Sequence, residues 1–463
     1  MNDIHTSSIR RREIVVIGAG LTGLTVAYEL ARKNKDVEVL EQQDRIGGQI
    51  RTYTENGFTF ESGPNTGVVS YPEVAELFES LSPECRLETA CEDSKRRLIW
   101  KKGKFRPLPS GLLSAVCTPL FSFKDKFRIL GEPFRPKGTD PDEPVGLLAR
   151  RRLGNSFLHY AVDPFLSGVY AGDPMKLVTR YALPKLYNLE QNHGSFIRGA
   201  IAKAKAPKTE RDRLATKKVF SAQGGFGHLV QALGRAIGDD RITLSVKGVT
   251  VEPAAQGWRV SFLSAAGEKQ CIDCEKVVTT VGAYALPALL PFVEKEDMDK
   301  IAALHYAPIM QIAVGLHDTG GKKHPAFGGL VPSCEKKDVL GILFPSSCFD
   351  GRAPEGGMLF SYFVGGVRHP EYLDKTDEEI EQMVRETLHS MLGYPEDVRP
   401  DLVRIFRHRR AIPQYDVGSG ARFETIDKLQ RAYPGLVLAG NIKGGIGMAD
   451  RIRQAVSVAA GLS

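Results

Sequence analysis

The stretch Glu13-Ile14-Val15-Val16-Ile17-Gly18-Ala19-Gly20-Leu21-Thr22-Gly23 decides the fold. Ile14 to Ile17 are β-branched throughout, the composition of a strand buried on both faces. The run stops at Gly18-Ala19-Gly20. Leu24, Val26, Ala27, Leu30 and Ala31 then recur with helical spacing, and a second apolar run, Asp36 to Leu40, ends in Glu41. GxGxxG carries meaning only in this setting of strand, turn, helix and strand. Gly18 permits the turn, Gly20 lets a diphosphate approach the backbone, and Gly23 lets the helix pack on the strand. The helix N-terminus offers unpaired N–H groups to phosphates. Glu41 stands where a carboxylate accepts ribose hydroxyls, which favours FAD or NAD over NADP. Gly18, Ala19, Gly20, Leu21, Thr22, Gly23, Glu41 and Gln42 form the first group of candidate cofactor-binding residues.

Working outward, the chain has 463 residues, enough for about three domains; 42% are hydrophobic and 25% charged, an ordinary globular balance. There are 62 Lys and Arg against 55 Asp and Glu, a net charge of +7 that is too mild to imply nucleic acid. Seven cysteines without regular spacing point to a reducing compartment rather than a disulfide framework. Residues 1–13 contain no apolar signal core, and Arg10-Arg11-Arg12 before Ile14 reads as the start of a strand rather than an export signal. The uncharged stretch Val277 to Val293 is broken by Gly282, Pro287 and Pro291, so it reads as strand, turn and short helix rather than a membrane span. Cys271 and Cys274 form a lone CxxC with no second pair in register, so no metal site is expected.

The residues after the first motif choose the dinucleotide. Asp44-Arg45-Ile46-Gly47-Gly48-Gln49-Ile50-Arg51-Thr52 follows, then Phe60-Glu61-Ser62-Gly63-Pro64-Asn65. This resembles the second signature of the amine-oxidase-like flavoproteins, in which two glycines let the chain pass over a flavin. Arg45 and Arg51 are expected to offset diphosphate charge. Near the C-terminus, Leu436 to Leu438 is a strand leading to Gly440-Asn441, then Gly444-Gly445-Ile446-Gly447-Met448 opens a helix. The resemblance implies that this return closes the FAD site. The further candidate cofactor residues are Arg45, Gly47, Gly48, Gly63, Pro64, Asn65, Thr66, Val249, Gly440, Asn441, Ile446, Gly447 and Met448.

Along almost its whole length the chain resembles the oxygen-dependent protoporphyrinogen oxidases. The resemblance rests on segments in order: Gly63-Pro64-Asn65, Arg96-Arg97-Leu98-Ile99-Trp100, Asp163-Pro164-Phe165, Gly168-Val169-Tyr170-Ala171-Gly172-Asp173-Pro174, Gln223-Gly224-Gly225, Leu330-Val331-Pro332, Leu340-Gly341-Ile342-Leu343-Phe344, Phe363-Val364-Gly365-Gly366 and Ile412-Pro413-Gln414-Tyr415. It implies FAD-dependent hydride removal from a meso carbon of protoporphyrinogen IX in three rounds. O2 is then the acceptor and H2O2 the by-product, in heme biosynthesis. It implies that Arg97 pairs with a substrate propionate, that Leu330 and Leu343 sandwich one pyrrole, that Phe363 stacks on another, and that Gly168 lines the cavity. Asn65 would lie beside the flavin. No general base is assigned. His408 departs from the Trp or other large group that many relatives carry near the flavin, which puts its packing role in question. Coproporphyrinogen III is the nearest rival substrate. An amine oxidase, a carotenoid desaturase and a catalytically inert FAD-stabilised membrane scaffold are more distant alternatives.

The charge is placed unevenly. Lys95 to Lys137 holds 12 basic and 2 acidic residues around an uncharged apolar run, Leu112 to Phe123. Basic flanks about an apolar patch suit peripheral attachment to an anionic membrane, here the cytoplasmic, inner face of the cell membrane. Arg198 to Lys218 reads as an exposed helix and linker. Arg241 to Val251, Trp258 to Leu263 and Ile312 to Leu316 read as strands, Pro72 to Leu81 and Glu378 to Leu392 as helices. The expected fold is α/β: a Rossmann-like, discontinuous FAD-binding domain (10–70, 219–300 and 426–463), a mixed-sheet substrate domain (71–94 and 301–425), and a basic helical membrane-binding domain (95–218). The resemblance also allows a homodimer and handover to the next enzyme of heme synthesis.

Overall fold

The computed structural model describes residues 9–463. The opening residues, read above as lacking a signal core, fall outside it up to Ser8. Strand β1 (Arg10–Ile17) lies inside the first sheet, between parallel β2 (Val37–Leu40) and the long parallel β13 (Lys269–Thr279). β10 (Ile242–Thr243) extends the sheet beyond β2. The first half of β13 carries antiparallel β12 (Trp258–Leu263), which pairs with β11 (Lys247–Pro253); its last residues pair with parallel β19 (Leu436–Leu438). Ile14, Val15 and Val16 are fully buried. Ile14 and Val16 face helices Leu21–Ala31, Phe226–Ile237 and Met448–Leu462. Val15 and Ile17 face Trp258, Val260 and Ile426 on the other side. Each such burial is worth roughly 1.5–3 kcal/mol.

Gly18 turns with φ +101, and a Cβ on Gly23 would sit 1.9 Å from the Gly18 carbonyl oxygen. The helix is therefore pressed onto the turn more closely than any side chain would allow. Cys271 and Cys274 are three apart on β13, so they point to opposite faces.

The second sheet runs β18 (Leu402–Pro413), β14 (Tyr306–Leu316), β17 (Met358–Gly365), β16 (Val339–Leu343), β15 (Gly328–Leu330), β7 (Arg97–Lys101) and β8 (Lys104–Pro107), antiparallel except for the β15–β7 pair. One face (Trp100, Ile312, Ile342, Phe360, Tyr362) packs on Ile380, Val384 and Leu388 of helix Asp377–Ser390. That helix starts where Thr376 and Glu379 cap each other's backbone N–H groups. The other face looks toward the cofactor layer and the helical region.

Between the sheets lies the hairpin of β3 (Thr52–Glu55) and β4 (Phe58–Glu61), turned by Asn56 and Gly57 at φ 51 and 80. A small sheet joins β5 (Gly67–Val68), β9 (Val219–Ala222) and β6 (Leu87–Thr89). Short helices fill most of residues 112–213, which are held together from inside. Arg152, fully buried, donates to Glu190 at 2.7 Å and Glu132 at 3.0 Å, and Glu132 also accepts the N–H groups of Phe196 and Ile197 at the start of helix Phe196–Lys205.

Several expected boundaries shift. Helix Pro72–Ser80 packs with the cofactor layer through Val74, Leu77 and Phe78, not with the substrate sheet. Strands β7 and β8 belong to the mixed sheet although they lie in the stretch 95–218, because β7 pairs with β15 more than 200 positions away. Helix Ser419–Ala432 buries Ile426 and Leu429 against the first sheet. Arg241 to Val251 is two strands, broken at Ser245 with φ +58.

Candidate functional site

A cavity of about 820 Å³ runs along the ends of the first sheet. It lies near the upper end of the usual range for ligand sites. Gly18, Gly20, Leu21, Thr22, Glu41, Gln42, Gly47, Gly48, Pro64, Val249, Gly440, Asn441, Ile446 and Met448 all line it. Chain segments far apart in sequence thus meet around one space. A Cβ built on Gly20 would meet nothing within 4 Å, so it would project into ground free of protein atoms, beside the N-terminus of helix Leu21–Ala31. Glu41 is buried. Its Oε2 accepts the Ala19 N–H at 2.7 Å and its Oε1 the Gln43 N–H at 2.9 Å, which leaves lone pairs for hydroxyl donors.

The other expected residues support the walls. Gly23 packs on the turn. Gly63 approaches the Gln49 carbonyl so closely that a Cβ would lie 2.1 Å from it. Asn65 donates to the Gly63 carbonyl at 3.0 Å. Thr66 is half-buried and Gly447 caps helix Met448–Leu462; neither lines the cavity. Arg45 has a different task from the one expected. Its guanidinium donates to the carbonyls of Ile46, Gly48 and Ile50 at 2.9–3.3 Å and so braces the Gly47-Gly48 turn. Arg51 lies over the Tyr53 ring, 4.6 Å away.

The sequence reading missed other cavity residues: Thr280, Val281, Tyr306, Arg410 and Arg451 among them. Thr280-Val281-Gly282 follows the end of β13, a second apolar strand running into glycine, which is a readable signal. Arg451 is a charge beside the apolar stripe Met448, Ile452, Ala455, Ala459, and that too could have been noticed. Tyr306 donates to the Asn441 side chain and accepts the Ala283 N–H at 3.0 Å. Tyr415 holds the C-terminal loop from below: its hydroxyl lies 2.9 Å from the Asn441 carbonyl and accepts the Gly445 N–H at 3.1 Å. Burial pushes its pKa up to about 12, so it stays a neutral donor.

Next to the cavity lies the open face of the second sheet. Register places Arg97, Gly328, Leu343 and Ser361 in one row, and Ile99, Leu330, Gly341, Phe363 and Gln311 in the next. Because direct partners share a face, Arg97, Leu330, Leu343 and Phe363 all project to the same side. Gly168 lies on it as well, since its Cβ would fall 2.5 Å from Leu330 Cδ2. Three bonds tie residues 61–65 across this face. Gln311 donates to the Glu61 carbonyl at 2.6 Å, His408 Nε2 to the Ser62 carbonyl at 2.6 Å, and Ser361 to Asn65 Oδ1 at 2.9 Å. His408 therefore acts as a polar tether. Pro64, within the tied segment, lines the cavity, so cavity and face meet there. Arg97 and Ser361, which holds Asn65, stand three strand steps apart in one row, about 14 Å at the usual spacing. Glu61 is buried, its Oε1 accepting the Phe226 N–H at 2.8 Å, and burial raises its pKa.

Two helix N-termini and two glycine-rich turns opening onto one elongated space define a dinucleotide-binding protein of the Rossmann type. The sequence model of the flavin containing amine oxidoreductases matches residues 21–462, and the chain belongs to that family. Its dinucleotide is accordingly FAD. The chain is 31% identical to protoporphyrinogen oxidase 1 of Arabidopsis thaliana, over 96% of this chain and 87% of that protein. It is 26% identical to coproporphyrinogen III oxidase of Bacillus subtilis, over 96% of each. A solved structure from Exiguobacterium, provisionally described as a protoporphyrinogen oxidase, superposes with a TM-score of 0.79 at 23% identity, covering 98% of this chain and 99% of that one. At that identity the likeness speaks for the fold.

Proposed function

We propose that this chain oxidises protoporphyrinogen IX to protoporphyrin IX with O2 as acceptor, releasing H2O2, in heme biosynthesis. The observation that carries the reading is the shared face: Arg97, Leu330, Leu343 and Phe363, far apart in sequence, converge beside the segment that walls the FAD cavity. FAD supplies the hydride-accepting ring. The protein supplies position. Arg97 is exposed and lies over the Phe327 ring at 5.7 Å; among the described residues no carboxylate pairs with it, which leaves its N–H groups for a propionate. Leu330, Leu343 and Phe363 are half-buried and offer apolar surface to the pyrroles. Asn65, fixed by Ser361 and the Gly63 carbonyl, holds the joint between face and cavity in one geometry. Product fluorescence under air, with steady-state rates on both porphyrinogens, tests the assignment.

Coproporphyrinogen III remains the second reading, favoured by the Bacillus relative. A clear kinetic preference for it would overturn the first. If neither porphyrinogen bleaches the flavin anaerobically, both readings fall and an inert scaffold is favoured.

The proposal extends to the membrane. No helix among the described residues is long and apolar enough to cross one. Helix Phe123–Leu130 instead exposes Phe123 (75%), Phe127 (69%) and Leu130 (70%) at i, i+4 and i+7, with Lys124, Lys126 and Arg128 around them. Leu113, Val116 and Phe134 add exposed apolar surface nearby in sequence. This supports peripheral attachment to the inner face of the cell membrane, which cosedimentation with anionic against neutral vesicles tests. A homodimer and product handover to the next enzyme are finer parts of the same reading; sedimentation of the purified chain tests the first.

A further inference from the structure

One buried cation at the cavity has no ion-pair partner among the described residues. Arg451, in the first turn of helix Met448–Leu462, is only 7% exposed. Its Nη1 donates to Gln454 Oε1 at 2.8 Å and its Nη2 to the Lys443 carbonyl at 3.2 Å, both neutral acceptors. Its Nε is buried without any acceptor. Among the described residues no carboxylate lies within ion-pairing distance. Neighbouring Asp450 is engaged with the Gly447 N–H at 3.1 Å. Tyr415 is neutral, as shown above. Burial drags the Arg451 pKa below the ordinary arginine value, yet a guanidinium does not shed its proton in a protein. An unpaired buried charge is expensive, so something must meet it.

The other cations at the cavity do not fit this role. Lys247 and Arg410 are exposed, where solvent weakens their pull. Arg45 is occupied by three carbonyls. Lys443, beside the cavity, pairs with Asp427 at 2.5 Å.

We propose that Arg451 is the internal counter-charge of the FAD diphosphate, and that the protein without cofactor carries this guanidinium uncompensated. Helix N-termini supply partial charge to the phosphates; Arg451 supplies a whole one from a dry position. The proposal rests on the reading of the cavity as the FAD site.

The test uses the full chain with R451Q and R451K. Flavin release from each holoenzyme is followed by the recovery of FAD fluorescence on dilution. The stripped proteins are refilled with FAD and, separately, with riboflavin, which has no phosphate. R451Q should bind FAD ten- to a hundredfold more weakly and riboflavin as before, while R451K should retain most of the FAD affinity. Melting of the stripped proteins gives a second reading with an unusual sign. R451Q should melt higher than the parent, because an uncompensated buried charge has gone, and should gain less from added FAD. Equal losses for FAD and riboflavin, or a lower melting point of stripped R451Q, would mean that Arg451 only braces the loop, and the proposal would fall. Unchanged FAD affinity with a shifted flavin potential would place the charge at the ring instead, and would overturn it as well. If R451Q does not fold, R451M takes its place, and an FAD affinity of R451M equal to that of R451K and the parent would count against a charge role. A parent protein that takes up no FAD would sink the reading of the cavity itself, a result separate from all of these.

Discussion

The FAD cavity and the sheet face beside it are built in different ways. The cavity is shaped by backbone: Gly23, Gly47, Gly48 and Gly63 bring main chain close to main chain, Gly18 turns at positive φ, and Gly20 leaves open space beside a helix N-terminus. The face is shaped by side chains that four strands deliver into register. A backbone-built site tolerates almost nothing at its glycines. A side-chain-built site should lose affinity or rate by degrees. Substitutions in each region can break this contrast or sharpen it.

The largest effect is expected in the helical region that covers the face. Arg152→Met leaves Glu132 buried without its cationic partner and Glu190 with Arg151 alone, and breaking such a buried pair costs about 3–5 kcal/mol. Chemical denaturation should show that loss. Acid should expose the same network in the parent. Burial raises the Glu190 pKa, but its bonds to Arg151 and Arg152 outweigh that and hold it below the ordinary 4.5. Its contribution to stability is therefore complete above 4.5 and disappears as pH falls through the lower folded value. Stability that stays flat on acidification below 4.5 would contradict this.

Gly23→Ala tests the cavity. The new methyl would lie 1.9 Å from a backbone oxygen, so the helix or the turn must move. Destabilisation of roughly 3 kcal/mol is expected, with loss of bound flavin. A yellow, stable Gly23→Ala protein would remove the contrast between the two regions.

This difference in construction also decides how much could be read from sequence. The first sheet, its turn and most of the cavity follow from residues near one another in the chain, where spacing fixes geometry. The C-terminal glycine loop was legible for the same reason. Arg45 was misassigned because a guanidinium beside two glycines serves equally as a brace or a counter-ion, and only the three carbonyls around it decide. The face was legible only by resemblance. Nothing local to Arg97 says that β7 pairs with β15, and this pairing moved the strand out of the helical region to which its charge had seemed to assign it.

Arg97→Ala sharpens the contrast from the other side. Loss of one charge-assisted bond should weaken substrate binding by about 1.5–3 kcal/mol, seen as a raised KM at constant FAD content. Flavin loss with an unchanged KM would show that the cavity and the face are not separable at this strand.

Gly168→Ala is the smallest and the most informative, because it joins the two kinds of construction. The glycine is on helix Asp163–Tyr170, yet what a Cβ would meet is the end of a side chain, Leu330 Cδ2 at 2.5 Å. That atom can turn aside, where the Gly18 oxygen opposite Gly23 cannot. Folding should therefore lose no more than about 1 kcal/mol. Leu330 must adopt another rotamer, and the porphyrinogen ring that rests on it would be misplaced relative to the flavin. A fall in kcat of about tenfold, with normal flavin content and a small change in melting temperature, is the expected result. An unchanged kcat would take Leu330 out of substrate positioning. A large loss of stability would mean that the helix and the sheet are locked together as rigidly as the Rossmann turn, and the face would then be no more forgiving than the cavity.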